Sequence, residues 1–322
     1  MRVTFAGSPD RVEARLVPEA GYELDTFRVA GFPRRPSVAL ARSLLLAGAA
    51  PAACARILRR RRPDVVLGGG GFVAGPMVLA ASLLRIPAAL TEADAHLGLA
   101  NRLAAPFARR LFLAYPVDGR LGPKTRVVGR PVPARSRPVE QNAAREIFEL
   151  PPDGPVLGVF GALAGARALN EFAVETWGKE GPAVLHVTGA RDYELVRRRV
   201  RRRDYRVVPE TERFGAALSA TDLVVARSGS SVWEIAACGR PAILVPYPFA
   251  TGDHQAQNAE HFVRAGGAIM VRELDLDDVP DLVRSLLADP ARRERMSGAM
   301  LAAARPDAAA EIADELVALA RR

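Results

Sequence analysis

The sequence predicts an α/β protein of two Rossmann-like domains, each built on a parallel sheet, and three observations carry that prediction. Short β-branched runs alternate with Ala/Leu/Arg-rich helical patterns almost end to end, the rhythm of βαβ units. At 322 residues the chain is too long for one ordinary core and suits two domains of roughly 150 residues each. The one strong break, 129–155, holds six prolines around a short helical piece at Ala143–Phe148, as an interdomain linker does. The expected boundaries are 1–135 for the first domain, 136–154 for the linker and 155–322 for the second, with the last helix packing back on the first.

Taken in order, the strands expected are Val3–Ala6, Glu23–Val29, Asp64–Leu67, Ala88–Thr91, Leu111–Ala114 and Arg126–Val128, then Val156–Phe160, Ala183–Val187, Tyr205–Val208, Leu223–Ala226, Ala242–Val245 and Ala268–Val271. Helical patterns fill most gaps and occupy Leu276–Arg322. The run Val65–Leu84 is uncharged and long enough to suggest a membrane span, but its five glycines and Pro76 fit a buried strand, a glycine loop and a buried helix better.

The composition, 49% hydrophobic and 25% charged, is that of a globular chain, and the first apolar stretch, Val3–Ala6, is too short for a signal peptide. Cys54 and Cys238 sit in Ala-rich helical stretches and read as small buried thiols of a cytosolic chain. The net charge of +9 and pI of about 10.4 open three partners: nucleic acid, an anionic membrane face, or phosphate-bearing substrates. Most of the excess lies in Arg59–Arg62 and in six arginines among the seven residues 197–203, each also readable as a solvated helix end. No nucleic-acid motif accompanies either cluster, which disfavours nucleic acid as a partner.

Four loops that follow predicted strands carry the chemistry. Gly68–Gly71 removes every Cβ between a strand and a helix, allowing a ligand or another backbone to approach closely. Gly161–Arg167 offers a plausible phosphate cradle that matches neither the Walker nor the dinucleotide pattern. In Arg227–Glu234, RSGSSVWE, Ser231 and Glu234 have capping-box spacing, while the same helix start would aim free N–H groups at an anion. In 246–258, Asp253 can cap a helix whose first turn exposes Gln255. The four histidines form no metal-ligand pattern, so no metal site and no cofactor is expected.

In chain order, LVPEAGYEL, PDVVLGGGGFVAGP, LTEADAHLGLANRLA, VVGRPV, GALAGARALN, DLVVARSGSSVWEIAACGRPAILVPYP and DHQAQNA resemble the peptidoglycan glycosyltransferases that add N-acetylglucosamine to lipid I. The resemblance implies a GT-B fold, two Rossmann-like domains facing a cleft, and metal-independent inverting transfer from UDP-N-acetylglucosamine to the 4-hydroxyl of an undecaprenyl-linked N-acetylmuramoyl acceptor. It implies a peripheral position on the cytoplasmic face of the cell membrane. On the UDP-sugar side it implies Gly161, Leu163, Ala164, Gly165, Thr211, Arg227, Ser228, Gly229, Ser230, Ser231, Val232, Glu234, Asp253, Gln255 and Asn258, with Glu234 on the ribose hydroxyls. Gly69, Gly70, Gly71, Glu92, Asp94 and Asn101 would line the acceptor side. Leu45, Leu46 and Arg59, Arg60, Arg61, Arg62, on a helix whose end also carries Ile57 and Leu58, would face the membrane.

The family's pattern opens with a strand and a glycine-rich loop ending in a histidine, whereas MRVTFAGSPDRVEARLVPEAG matches it from the second strand onward. Loss of that central strand would leave two unpaired strand edges, so the first expectation is that the true start lies upstream, ahead of a re-paired inactive remnant or an altered enzyme with another base. The catalytic base is left unassigned, with His96 the substitute by position. A related transferase for another lipid or small acceptor, and a non-catalytic binder of UDP-sugar or membrane partners, are the alternative readings.

Overall fold

The computed structural model describes residues 2–29, 38–117, 122–161 and 166–321, with the backbone alone for 38–47. They form two compact units, one of residues 1–128 with 310–322 and one of 129–309.

In the first unit the elements run β1 (Phe5–Gly7), α1 (Glu13–Glu19), β2 (Leu24–Thr26), α2 (Val38–Arg61), β3 (Val66–Gly68), α3 (Gly71–Leu83), β4 (Ala88–Glu92), α4 (Leu99–Ala104), β5 (Arg110–Leu113) and β6 (Thr125–Val127). All pairings are parallel, but they make two sheets, β1-β2 and β3-β4-β5-β6. Among the described residues β1 and β3 each pair on one side only, and Phe5 and Leu67 on them are exposed. Strand alternation sorts the side chains between two faces. Leu90, Leu111 and Leu113 join Cys54, Leu58, Met77 and Val78 of α2 and α3 in one core, while Ala89 and Phe112 point the other way. The tempting apolar run thus divides into β3, a glycine turn and α3, and no helix among the described residues is long and apolar enough to cross a membrane.

The second unit continues with α5 (Gln141–Ile147), β7 (Val156–Phe160), α6 (Arg167–Trp177), β8 (Ala183–Val187), α7 (Tyr193–Arg199), β9 (Tyr205–Val208), α8 (Phe214–Ser219), β10 (Leu223–Ala226), α9 (Val232–Ala237), β11 (Ala242–Leu244), α10 (His254–Arg264), β12 (Ala268–Met270), α11 (Val279–Ala288) and α12 (Pro290–Ala303). Its single parallel sheet has the order β12-β11-β10-β7-β8-β9, the doubly wound order in which the first and fourth strands lie side by side. Residues of β7, β10 and β11 are buried throughout, as strands covered by helices on both faces must be. The last helix, α13 (Ala308–Ala320), leaves this unit for the first. There Ile312 and Leu319 cover Ala89, Phe112 and Val128, and Glu315 pairs with Arg110 at 2.9 Å.

The segment expected as a linker is packed structure of the second unit. Arg145 of α5 is buried, donating to Asp222 at 2.8 Å and to the Pro152 carbonyl at 2.6 Å, and Val139 N–H donates to Ser219 Oγ at 3.1 Å. Proline here stiffens a docked strap. The arginine end of α2 is partly tied to the fold. Arg60 and Arg61 donate to the buried Asp25 at 2.5 and 2.7 Å, Arg61 also pairs with Glu23, and Leu58 lies in the core. Arg59, Arg60 and Arg62 remain exposed, while the side chains of Leu45 and Leu46 lie outside the described residues.

Candidate functional site

In the second unit the first and fourth strands end together. Phe160 is in register with Ala226, and Arg227 N–H donates to the Phe160 carbonyl at 3.3 Å, so the loops after β7 and β10 start side by side at the carboxyl edge of the sheet. Gly161 is packed tightly: an added Cβ would come within 2.9 Å of Ala166 N and 3.3 Å of Asn170 Oδ1. Leu163, Ala164 and Gly165 lie outside the described residues.

The loop after β10 carries most of the polar groups. Arg227, expected at the ligand, has its guanidinium committed to the fold, donating to the Val245 and Pro246 carbonyls at 3.2 Å each and pairing with Glu273. Its guanidinium also stacks 5.7 Å from the Tyr247 ring centroid. Ser228 is wholly buried, and its carbonyl accepts from Asn258 Nδ2 at 3.2 Å. Among the described residues its hydroxyl has no partner. Beyond it the N–H groups of Ser230 and Ser231 have no acceptor among the described residues, while Val232 N–H makes only a 3.3 Å turn bond to Gly229. A Cβ on Gly229 would meet only Gln255 Nε2, at 3.9 Å, so this side of the loop is open.

The capping box does not form. Ser231 already has helical angles, φ −66° and ψ −11°, which turn its hydroxyl away from the first free N–H groups. Glu234 reaches the other way, and its Oε1 accepts the Ser136 hydroxyl at 2.5 Å. Asp253 does not cap α10 either. It sits in the left-handed region at φ 53° and pairs with Arg272 at 3.0 Å. Gln255 accepts the Tyr247 N–H at 2.9 Å, leaving its amide nitrogen toward Gly229. Thr211, in the turn after β9, accepts the Arg213 N–H at 3.0 Å, at the same edge of the sheet but beyond β8.

In the first unit Gly70 and Gly71 have φ of +91° and +68°, angles that side chains resist, and they turn β3 into α3. Glu92 does not stand open to a ligand. Its Oε1 accepts the Ala93 N–H at 3.0 Å, and its Oε2 accepts the Gly98 N–H at 3.0 Å and Asn101 Nδ2 at 2.9 Å. The carboxylate thereby ties the loop of Asp94 and His96 back on itself. Asn101 is 2% exposed, and its Oδ1 has no partner among the described residues. His96 is half-buried in that loop.

The model of the glycosyltransferase family 28 N-terminal domain matches residues 1–113, and that of the family 28 C-terminal domain matches 156–312. The chain belongs to glycosyltransferase family 28. It is 39% identical to the UDP-N-acetylglucosamine--N-acetylmuramyl-(pentapeptide) pyrophosphoryl-undecaprenol N-acetylglucosamine transferase of an Anaeromyxobacter species, across 99% of this chain and 86% of that one. The protein of the same name from Salinibacter ruber is 38% identical across 100% of this chain and 89% of its own. The crystal structure of MurG from Acinetobacter baumannii superposes with a TM-score of 0.77 at 25% identity, covering 98% of this chain and 90% of that one.

Several residues that shape this edge were passed over by sequence reading. Ser136 lies in proline-rich sequence with no motif around it, and Glu273 opens a turn far from Arg227 in sequence. Asn170 is the centre of a buried network beneath Gly161, donating to Thr188 O at 2.9 Å and Asp192 at 3.1 Å and meeting His186 Nε2 at 3.0 Å. The Arg191 guanidinium beside Asp192 holds that carboxyl below the usual range. Only its place at the start of a helix after a glycine loop hinted at Asn170.

Proposed function

We propose that this family 28 chain moves N-acetylglucosamine from UDP-N-acetylglucosamine to the 4-hydroxyl of the N-acetylmuramoyl unit of lipid I, inverting the sugar without a metal. The chain is a UDP-N-acetylglucosamine-dependent glycosyltransferase. The second unit takes the UDP-sugar and the first takes the undecaprenyl-linked acceptor. The observation that carries this reading is the edge where β7 and β10 end together, with N–H groups at Ser230 and Ser231 that have no acceptor among the described residues. Departing diphosphate charge would fall on these fixed main-chain donors, which need no reorganisation as the bond breaks. Glu234, with Oε1 held and no described partner on Oε2, supplies the acceptor that a ribose diol needs. Gln255 Nε2 and the side of Gly229 without a Cβ suit the sugar.

Glu234→Gln removes the charge while keeping the shape. Calorimetry should show UDP bound roughly tenfold or more weakly, as expected for a lost hydrogen bond to a charged group. Unchanged affinity would remove Glu234 from the site. A transfer assay with labelled UDP-N-acetylglucosamine against a panel of lipid-linked acceptors tests the acceptor. The membrane face belongs to this proposal too. Arg59 and Arg62, exposed where Arg60 and Arg61 are tied to Asp25, are the cations available to anionic lipid. Arg59→Gln with Arg62→Gln should lower binding to anionic vesicles at low salt by about thirtyfold, at about 1 kcal/mol per cation, and unchanged binding would sink this face.

A further inference from the structure

Glu234 stands in the first turn of a helix, where a contact with its own N-terminus was within reach, yet it is held by a residue 98 positions away. Ser136 is wholly buried and fixed from several sides. Its N–H donates to the Pro133 carbonyl at 2.9 Å, and its own carbonyl accepts from Cys238 Sγ at 3.4 Å. Gly215 closes the remaining side, since a Cβ there would lie 2.7 Å from the Ser136 carbonyl carbon and 2.0 Å from the Arg137 oxygen. A hydroxyl so confined cannot follow a wandering carboxylate; the carboxylate must come to it. With one oxygen pinned, the other is presented in a set direction, and the side-chain ordering that a ligand would otherwise have to impose is already done. Glu234 itself is half-buried, and its Oε2 has no partner among the described residues.

We propose that Ser136 is a positioning residue that aims the free oxygen of Glu234 at the ribose hydroxyls of the bound nucleotide. The assignment rests on the reading of Glu234 as the ribose-binding group. It gives the proline-rich strap a task in recognition as well as in packing.

The test is calorimetry on the full chain with two ligands, UDP and a UDP analogue lacking both ribose hydroxyls. Ser136→Ala should weaken UDP about tenfold, as for one misdirected charge-assisted hydrogen bond, and leave the analogue's affinity unchanged. Ser136→Thr, which keeps the hydroxyl, should retain the preference for UDP. In a Glu234→Gln background Ser136→Ala should add less than about twofold, because the two residues act as one unit. Equal weakening of both ligands, or of neither, in Ser136→Ala overturns the proposal while leaving Glu234 in place. If Glu234→Gln alone leaves UDP binding unchanged, the reading of Glu234 fails and the proposal falls with it.

Discussion

His186 is wholly buried between Tyr205 Oη, 2.8 Å from Nδ1, and Asn170 Oδ1, 3.0 Å from Nε2. Asn170 spends its N–H groups on Thr188 and Asp192, so its oxygen must accept from the imidazole, and the ring carries its proton on Nε2. Burial pushes the histidine down from 6.5 to about 3, so it stays neutral in the folded chain. Between those values the unfolded chain binds one more proton than the folded one, and stability drops as pH falls. The slope approaches about 1.4 kcal/mol per pH unit. His186→Gln lacks this slope. The stability difference between parent and variant should be flat above pH 6.5 and narrow progressively below it in thermal melts. A constant difference would mean that His186 takes up its proton in the fold as readily as in the unfolded chain. The two thiols are buried as their Ala-rich surroundings suggest, and burial pushes Cys54 up to about 12 and Cys238 up to about 11, so both stay protonated.

Helix α8 and the Ala134–Ser136 turn meet at Gly215 with no room for a methyl group, since the Cβ of an alanine would sit 2.0 Å from the Arg137 carbonyl oxygen. Backbone cannot yield as a side-chain tip can, so Gly215→Ala should destabilise the second unit by about 1–3 kcal/mol, read by denaturant titration. A stability change under about 0.5 kcal/mol would show the turn to be loosely held. The elements themselves were largely legible. All twelve strands lie where β-branched runs between glycines and prolines put them, with ends shifted by a few residues at most. What failed was local polar assignment. Spacing points to a capping box at Ser231 and Glu234, and residue type to an N-cap at Asp253, but both carboxylates, on Glu234 and on Asp253, find partners from other elements.

The two units keep separate cores, and α13 belongs to the first although it follows the second in sequence. Ile312, 6% exposed against Ala89, Phe112 and Val128, is the anchor of that return. Ile312→Ala should cost the first unit about 2–5 kcal/mol. In calorimetry it should lower the transition of that unit, with the one that Gly215→Ala lowers left in place. A single transition shifted equally by both would show the units to unfold as one.

The sequence alone determined the class, the strand order in time, the loops at the carboxyl ends of strands and, through motif order, the family. These depend on period, composition and short-range spacing, which a linear string carries. Tertiary structure alone decided which charged groups were available. Arg227, Arg60, Arg61 and Glu92 read as open functional groups, yet Glu273, Asp25 and the Ala93–Gly98 main chain engage them. It also decided that a serine in a proline-rich strap holds Glu234. A charge is worth most to the fold where a distant partner shares its burial, and no local pattern records who that partner is.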